Sequence, residues 1–208
     1  MSKALSCFAF ETLINKLNLD THKISLSTYF DALNENQKSL PTSAPVFITW
    51  NKNDNLRGCI GTFSDFPLEK GVSKFSISSA MHDPRFPAIV KSEINHLSVS
   101  VTLLANFVEI HDQNDWSIGE NGLRISLKYE GEHYSGTFLP SVAEEQEWDK
   151  EATLYHLLKK AEFPLAKSNV KLFYEKGLKE GWLRLTKYDG IKDHLDYDDF
   201  LKIRSELV

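Results

Sequence analysis

Leu56-Arg57-Gly58-Cys59-Ile60-Gly61-Thr62-Phe63 is the stretch on which the reading of this chain turns. In an extended segment, side chains alternate between two faces. Arg57 and Cys59 then share a face, with Cα atoms roughly 6.5 Å apart. Leu56, Gly58 and Ile60 take the other. A guanidinium beside a thiol favours the thiolate, the reactive form. Glycines at 58 and 61 let a ligand or another backbone come close. Upstream, Val46-Phe47-Ile48-Thr49-Trp50 reads as a buried strand and Asn51 to Asn55 as turn chemistry. The two segments are therefore expected to pair as a hairpin.

Outward from this hairpin, helices and strands are interspersed. Phe10, Leu13, Ile14 and Leu17 fall on one helical stripe. Asp65 and Pro67 are positioned to start a helix that buries Leu68, Val72 and Phe75 and ends at the Pro84/Pro87 pair. Leu97 to Leu103 alternates strictly and predicts a strand. Asn121-Gly122 signals a tight turn, and Leu123 to Tyr129 alternates again into a turn at Glu130-Gly131-Glu132. A long helix is expected over 142–162, a strand over 181–188 and a short helix over 196–207. This order predicts an α/β fold, a mixed sheet packed with helices.

The chain has 208 residues, 41% of them hydrophobic, enough for one substantial core or a main core with a small second lobe. The net charge of -5 argues against nucleic acid held by bulk charge and leaves a local basic groove open. Two cysteines, Cys7 and Cys59, make no disulfide framework or zinc knuckle and suit a reducing compartment. No leader-like start and no run of about 20 apolar residues is present. The expectation is an intracellular protein, of cytoplasm or nucleus, with no membrane partner.

Cys59 is the first candidate for chemistry, as nucleophile, redox thiol or metal ligand; a strand cysteine acting as a small hydrophobe fits the same position. Asp83 and Arg85, beside His82, form a second cluster suited to acid–base work or to capping a turn. Glu145 and Trp148 lie in an acidic run, Glu144 to Asp149, suited to a helix start. Phosphate loops, a nucleophile elbow and metal-ligand spacings are missing, so neither a cofactor nor a metal is expected.

Five stretches together resemble the AMMECR-type domain family: the Leu56–Phe63 signature, Ser79 to Phe86, Ser98 to Leu104, Asp115 to Gly122, and Leu139 to Asp149. They fall in family order and cover most of the chain. Asn121 stands where the family often has His, and Ser141 where Glu is common. The resemblance implies one domain over 1–208 with a larger and a smaller lobe, and a cleft lined by the signature. It implies no settled activity; some microbial relatives occur with Memo-like and radical S-adenosylmethionine proteins. Two readings follow. One is an enzyme acting on a small molecule or protein through a cleft around Arg57 and Cys59, lined by Gly58, Gly61, Asp83, Arg85, Glu145 and Trp148. The other is a non-catalytic interaction domain. Nucleic-acid binding comes third. Oligomeric state is open.

Overall fold

The computed structural model describes residues 2–20 and 22–208. The chain forms two compact units, Met1–Leu103 with Ile191–Val208, and Leu104–Gly190. Each has its own hydrophobic core.

In the first unit, α1 (Lys3–Lys16), α2 (Leu26–Ala32), α3 (Leu68–Met81) and α7 (Tyr197–Ser205) accompany β1 (Ser43–Lys52), β2 (Asn55–Pro67) and the first half of β3 (Leu97–Ile110). β1 and β2 make the expected hairpin. Its turn residues, Asn53 and Asp54, both have positive φ (48° and 63°). That geometry matches the twist of paired strands, and Asn and Asp tolerate it better than most residues. β1 lies between β2 and β3, antiparallel to both. Val46, Ile48 and Trp50 point to one face and are fully buried. There α1 and α3 pack on them, and the Trp50 indole N–H donates to the Ser76 carbonyl of α3 at 3.0 Å.

α1 is buried nearly all round, wider than the single stripe expected. Its Glu11, 1% exposed, accepts from Arg204 of α7 at 2.8 Å and from the Tyr29 hydroxyl of α2 at 2.8 Å. A buried carboxylate is tolerable only with such partners. This cluster fixes the last helix to the first.

In the second unit, β4 (Asn121–Tyr129) lies between β5 (Glu132–Phe138) and β6 (Leu183–Asp196), antiparallel to both. Leu123, Ile125 and Leu127 join Leu183 and Leu185 in a core with α5 (Lys150–Lys160) and α6 (Val170–Glu180). Sheet and helices thus combine as the α/β expectation requires, with antiparallel ladders throughout those described.

Three local expectations differ from the structure. The 142–162 helix is broken into α4 (Val142–Glu145) and α5, because Glu147 adopts φ 54° and Asp149 caps a fresh start by accepting from the Ala152 N–H at 2.7 Å. Asp65 lies within β2, and α3 begins only at Leu68, after Pro67. Asn121-Gly122 opens β4 instead of turning; the Tyr188 ring occupies the space a side chain at 122 would need. The helices α2 and α6 were not foreseen. No helix among the described residues is long and apolar enough to cross a membrane.

Candidate functional site

The signature strand β2 is an edge strand, so alternate backbone N–H and C=O groups face outward without a strand partner. The segment after α3 meets that edge. Proline at 84 disfavours helical geometry at Asp83 and the chain leaves the helix there. Asp83, 4% exposed, accepts from the Cys59 N–H through Oδ2 at 2.8 Å. Arg85 donates to the Cys59 carbonyl at 3.3 Å and grips Asp83 through Nε at 3.0 Å and Nη2 at 2.7 Å. The Asp83–Arg85 pair therefore satisfies Cys59 as a neighbouring strand would. Hydrogen bonds from Arg85, above all, hold the Asp83 carboxyl well below the usual carboxylate range.

Arg57 makes a second clamp. Its Nε and Nη2 meet the two carboxylate oxygens of Glu93, both at 3.0 Å, while Nη1 and Nη2 donate to the carbonyls of Pro87 (2.7 Å) and Ala88 (3.3 Å). Both side chains are close to nine-tenths covered. Glu93 also takes the Val90 N–H and the Lys52 ammonium, each at 3.0 Å. Its carboxyl is held down to about 2, chiefly by the Arg57 hydrogen bonds. Arg57 and Cys59 thus engage different parts of the 82–96 segment, and the guanidinium that reaches the Cys59 backbone belongs to Arg85.

The glycines are filled from within the protein. A Cβ on Gly58 would lie 2.0 Å from the Ser79 carbonyl oxygen of α3. One on Gly61 would lie 2.3 Å from the Val46 carbonyl oxygen and 2.4 Å from the Phe47 ring, its register partner. Phe47 in turn meets Phe63 edge-on, with ring centroids 4.8 Å apart.

Cys59 itself is half-exposed, and its Sγ accepts from Thr49 Oγ1 at 3.2 Å. Thr49 is the register partner of both Cys59 and Ser100. Ser100 Oγ lies 3.1 Å from His194 Nδ1, and His194 Nε2 lies 3.3 Å from Asp196. A polar row thus runs from β2 through β1 and β3 to the end of β6. Sequence reading missed this row. The Ser98/Ser100/Thr102 alternation in an otherwise apolar strand was the available signal; nothing local marked His194. His82 is exposed just past α3.

Glu145 and Trp148 belong to the second unit. Glu145 is exposed on α4. Trp148 stacks on His156 at 4.0 Å and 7°, and meets Phe138 at 5.6 Å. Burial, with Lys159 and Lys167, pushes the His156 pKa down. No group of three or more His, Cys, Asp or Glu able to hold a metal occurs among the described residues.

Comparison with known proteins supplies a family and no activity. The family model described as AMMECR1 matches residues 7–176. An uncharacterised protein of Saccharomyces cerevisiae is 32% identical, covering 97% of this chain and 88% of its own. One of Schizosaccharomyces pombe is 35% identical over 80% and 82%. The crystal structure of the uncharacterised protein PH0010 from Pyrococcus horikoshii superposes with a TM-score of 0.64 at 23% identity, covering 95% and 94% of the two chains. That likeness bears on the fold alone.

Proposed function

This chain belongs to the AMMECR1 family, and on that premise we propose that it is a non-catalytic protein-interaction module, with the β1–β2 face around Cys59, Phe47 and Phe63 as its interface. The observation that carries this reading is the engagement of the signature's charged groups. Both oxygens of Asp83 are taken by Arg85 and the Cys59 N–H, and Arg57 is taken by Glu93 and two carbonyls. These groups support the shape of the strand and leave the thiol bonded to a neutral hydroxyl. Phe63, 41% exposed beside Phe47, supplies the apolar contact area an interface needs.

A second reading, an enzyme using acid–base chemistry, draws support from the Ser100–His194–Asp196 row, which has the residue types of a hydrolytic triad. Ser100 is 1% exposed, which opposes attack on a substrate.

Covalent probes separate the two. Cys7 is fully buried, and burial pushes its thiol up to about 12, so native-state alkylation reports Cys59. Iodoacetamide is expected to modify Cys59 no faster than it modifies a model thiol. A fluorophosphonate probe is expected to leave Ser100 unmodified. Alkylation more than tenfold faster than that of a model thiol, or labelling of Ser100 that disappears in His194→Ala, overturns the interaction reading in favour of the enzyme.

A further inference from the structure

The second unit buries one face of its sheet under α5 and α6 and leaves the other open. Register puts Arg124, Ser126 and Lys128 of β4 on the open face. Arg124 is flanked by Thr186 and Thr137, Ser126 by Arg184 and Ser135, and Lys128 by His133. Arg124, Lys128 and Arg184 are all exposed, and none makes an ion pair among the described residues. At one margin Phe107, 40% exposed, stacks on the buried Tyr188 at 5.0 Å and 29°. The Arg124 guanidinium lies 5.5 Å from the Phe107 ring centre. Two acidic residues lie near this margin: Glu109, two residues beyond Phe107, and Asp189, which accepts from Asn106 at 2.8 Å and Asn121 at 2.9 Å.

We propose that this open face binds single-stranded nucleic acid, with phosphates on Arg124, Arg184 and Lys128 and a base stacked on the Phe107–Arg124 pair. The local arrangement is the argument, against a net charge of -5 that describes only the sum. Three guanidinium or ammonium groups interspersed with hydroxyls offer donors to a phosphodiester chain. An exposed ring beside a guanidinium offers a stacking surface, which acidic peptides do not use and single-stranded bases do. Extended peptides add to sheet edges by backbone hydrogen bonds, and this is a face. A lipid surface would call for an apolar border wider than one phenylalanine.

Three phosphate contacts set the expected salt response. Log affinity falls against log salt with a slope of about -2, from roughly -0.7 per contact on single strands. Between 50 and 200 mM salt that is roughly a 16-fold loss. The test is fluorescence anisotropy with a labelled mixed-sequence 20-mer of single-stranded RNA or DNA. A 20-base-pair duplex, polyglutamate and vesicles containing anionic phosphatidylserine serve as competitors. The single strand is expected to bind and to resist all three competitors. Arg124→Glu/Arg184→Glu is expected to abolish binding while the thermal midpoint stays within 2 °C, because both side chains are exposed. Phe107→Ala is expected to weaken it about tenfold. Phe107 packs on Tyr188, so Arg184→Ala serves as a second, fold-neutral variant, with a shallower salt slope by about 0.7. The proposal is overturned by no binding at 50 mM salt, by binding indifferent to charge reversal, or by the duplex, polyglutamate or vesicles displacing the oligonucleotide at equal charge concentration.

Discussion

Gly58→Ala is expected to destabilise the first unit by about 3 kcal/mol, and Gly58→Val by more, since overpacking against an unyielding neighbour reaches or exceeds this range. Gly58 is not among the glycines with positive φ, so the requirement for glycine comes from proximity. The atom that a new Cβ would meet is the Ser79 carbonyl oxygen at 2.0 Å. That oxygen is main chain and cannot rotate away. To make room, α3 must lift from β2, and the Trp50 indole N–H would then lose the Ser76 carbonyl on the same helix. At about 2–4 °C per kcal/mol for a chain of this size, the thermal midpoint falls by about 6–12 °C. Ser64→Val, exposed on the same strand, is the control and stays within about 0.5 kcal/mol. Equal midpoints for Gly58→Ala and the control would show that helix and strand do not approach as described.

Asp83→Ala is expected to cost about 3 kcal/mol, since it leaves the Cys59 N–H without its acceptor and Arg85 without its counter-charge. The figure sits at the low end for a broken pair because the Arg85 side chain is 54% exposed and water can replace part of what it loses. Asp83→Asn keeps an acceptor oxygen and is expected to recover roughly half. The same carboxyl sets a pH signature. A group whose folded pKa lies below its unfolded value, near 4, stabilises the fold at higher pH, and that contribution is lost as pH falls through the folded value. Asp83 and Glu93 are both lowered in this way, Glu93 to about 2. Wild-type stability, measured by urea unfolding, is therefore expected to hold above pH 5 and to fall steeply from pH 4 toward pH 2. The Asp83→Asn curve is expected to be flatter over that interval. A variant curve parallel to wild type would mean that the Asp83 carboxylate contributes nothing to holding the strand edge.

Both expectations rest on residues that the sequence marks but does not explain. The Leu56–Phe63 stretch and the Ser79–Phe86 stretch are separate motifs when read along the chain. In the folded first unit each completes the other. Asp83 and Arg85 cover the backbone of Cys59, and the Ser79 carbonyl occupies the space beside Gly58. Placing Arg57 and Cys59 on one strand face assumes strict alternation, and the β1–β2 register slips by one residue at Arg57, between Trp50↔Gly58 and Asn51↔Leu56. Alternation gives a side chain its face and says nothing about where a long, flexible guanidinium ends. Arg57 ends on Glu93, 36 residues away in the short 3-10 helix Lys91–His96.

The alternating and apolar patterns of β1, β2 and the start of β3 were legible because strand burial is a period-two property of local sequence. The helix break at Glu147 was not, because a non-glycine residue at positive φ carries no compositional mark. The basic face of the second unit was hidden for another reason. Its cations sit on two strands paired at Arg124↔Thr186, 62 residues apart, and at Ser126↔Arg184, 58 residues apart, and only their register brings them together. By itself, then, the sequence determined the family, the hairpin and which residues of β3 and β4 share a face, since these follow from motif order and local periodicity; the register slips in β2 do not. Tertiary structure alone decided what those residues touch. Hydrogen-bond partners of charged side chains are chosen by loops and helices distant in sequence, which is why Arg57 ends on Glu93 while the Cys59 backbone meets Asp83 and Arg85.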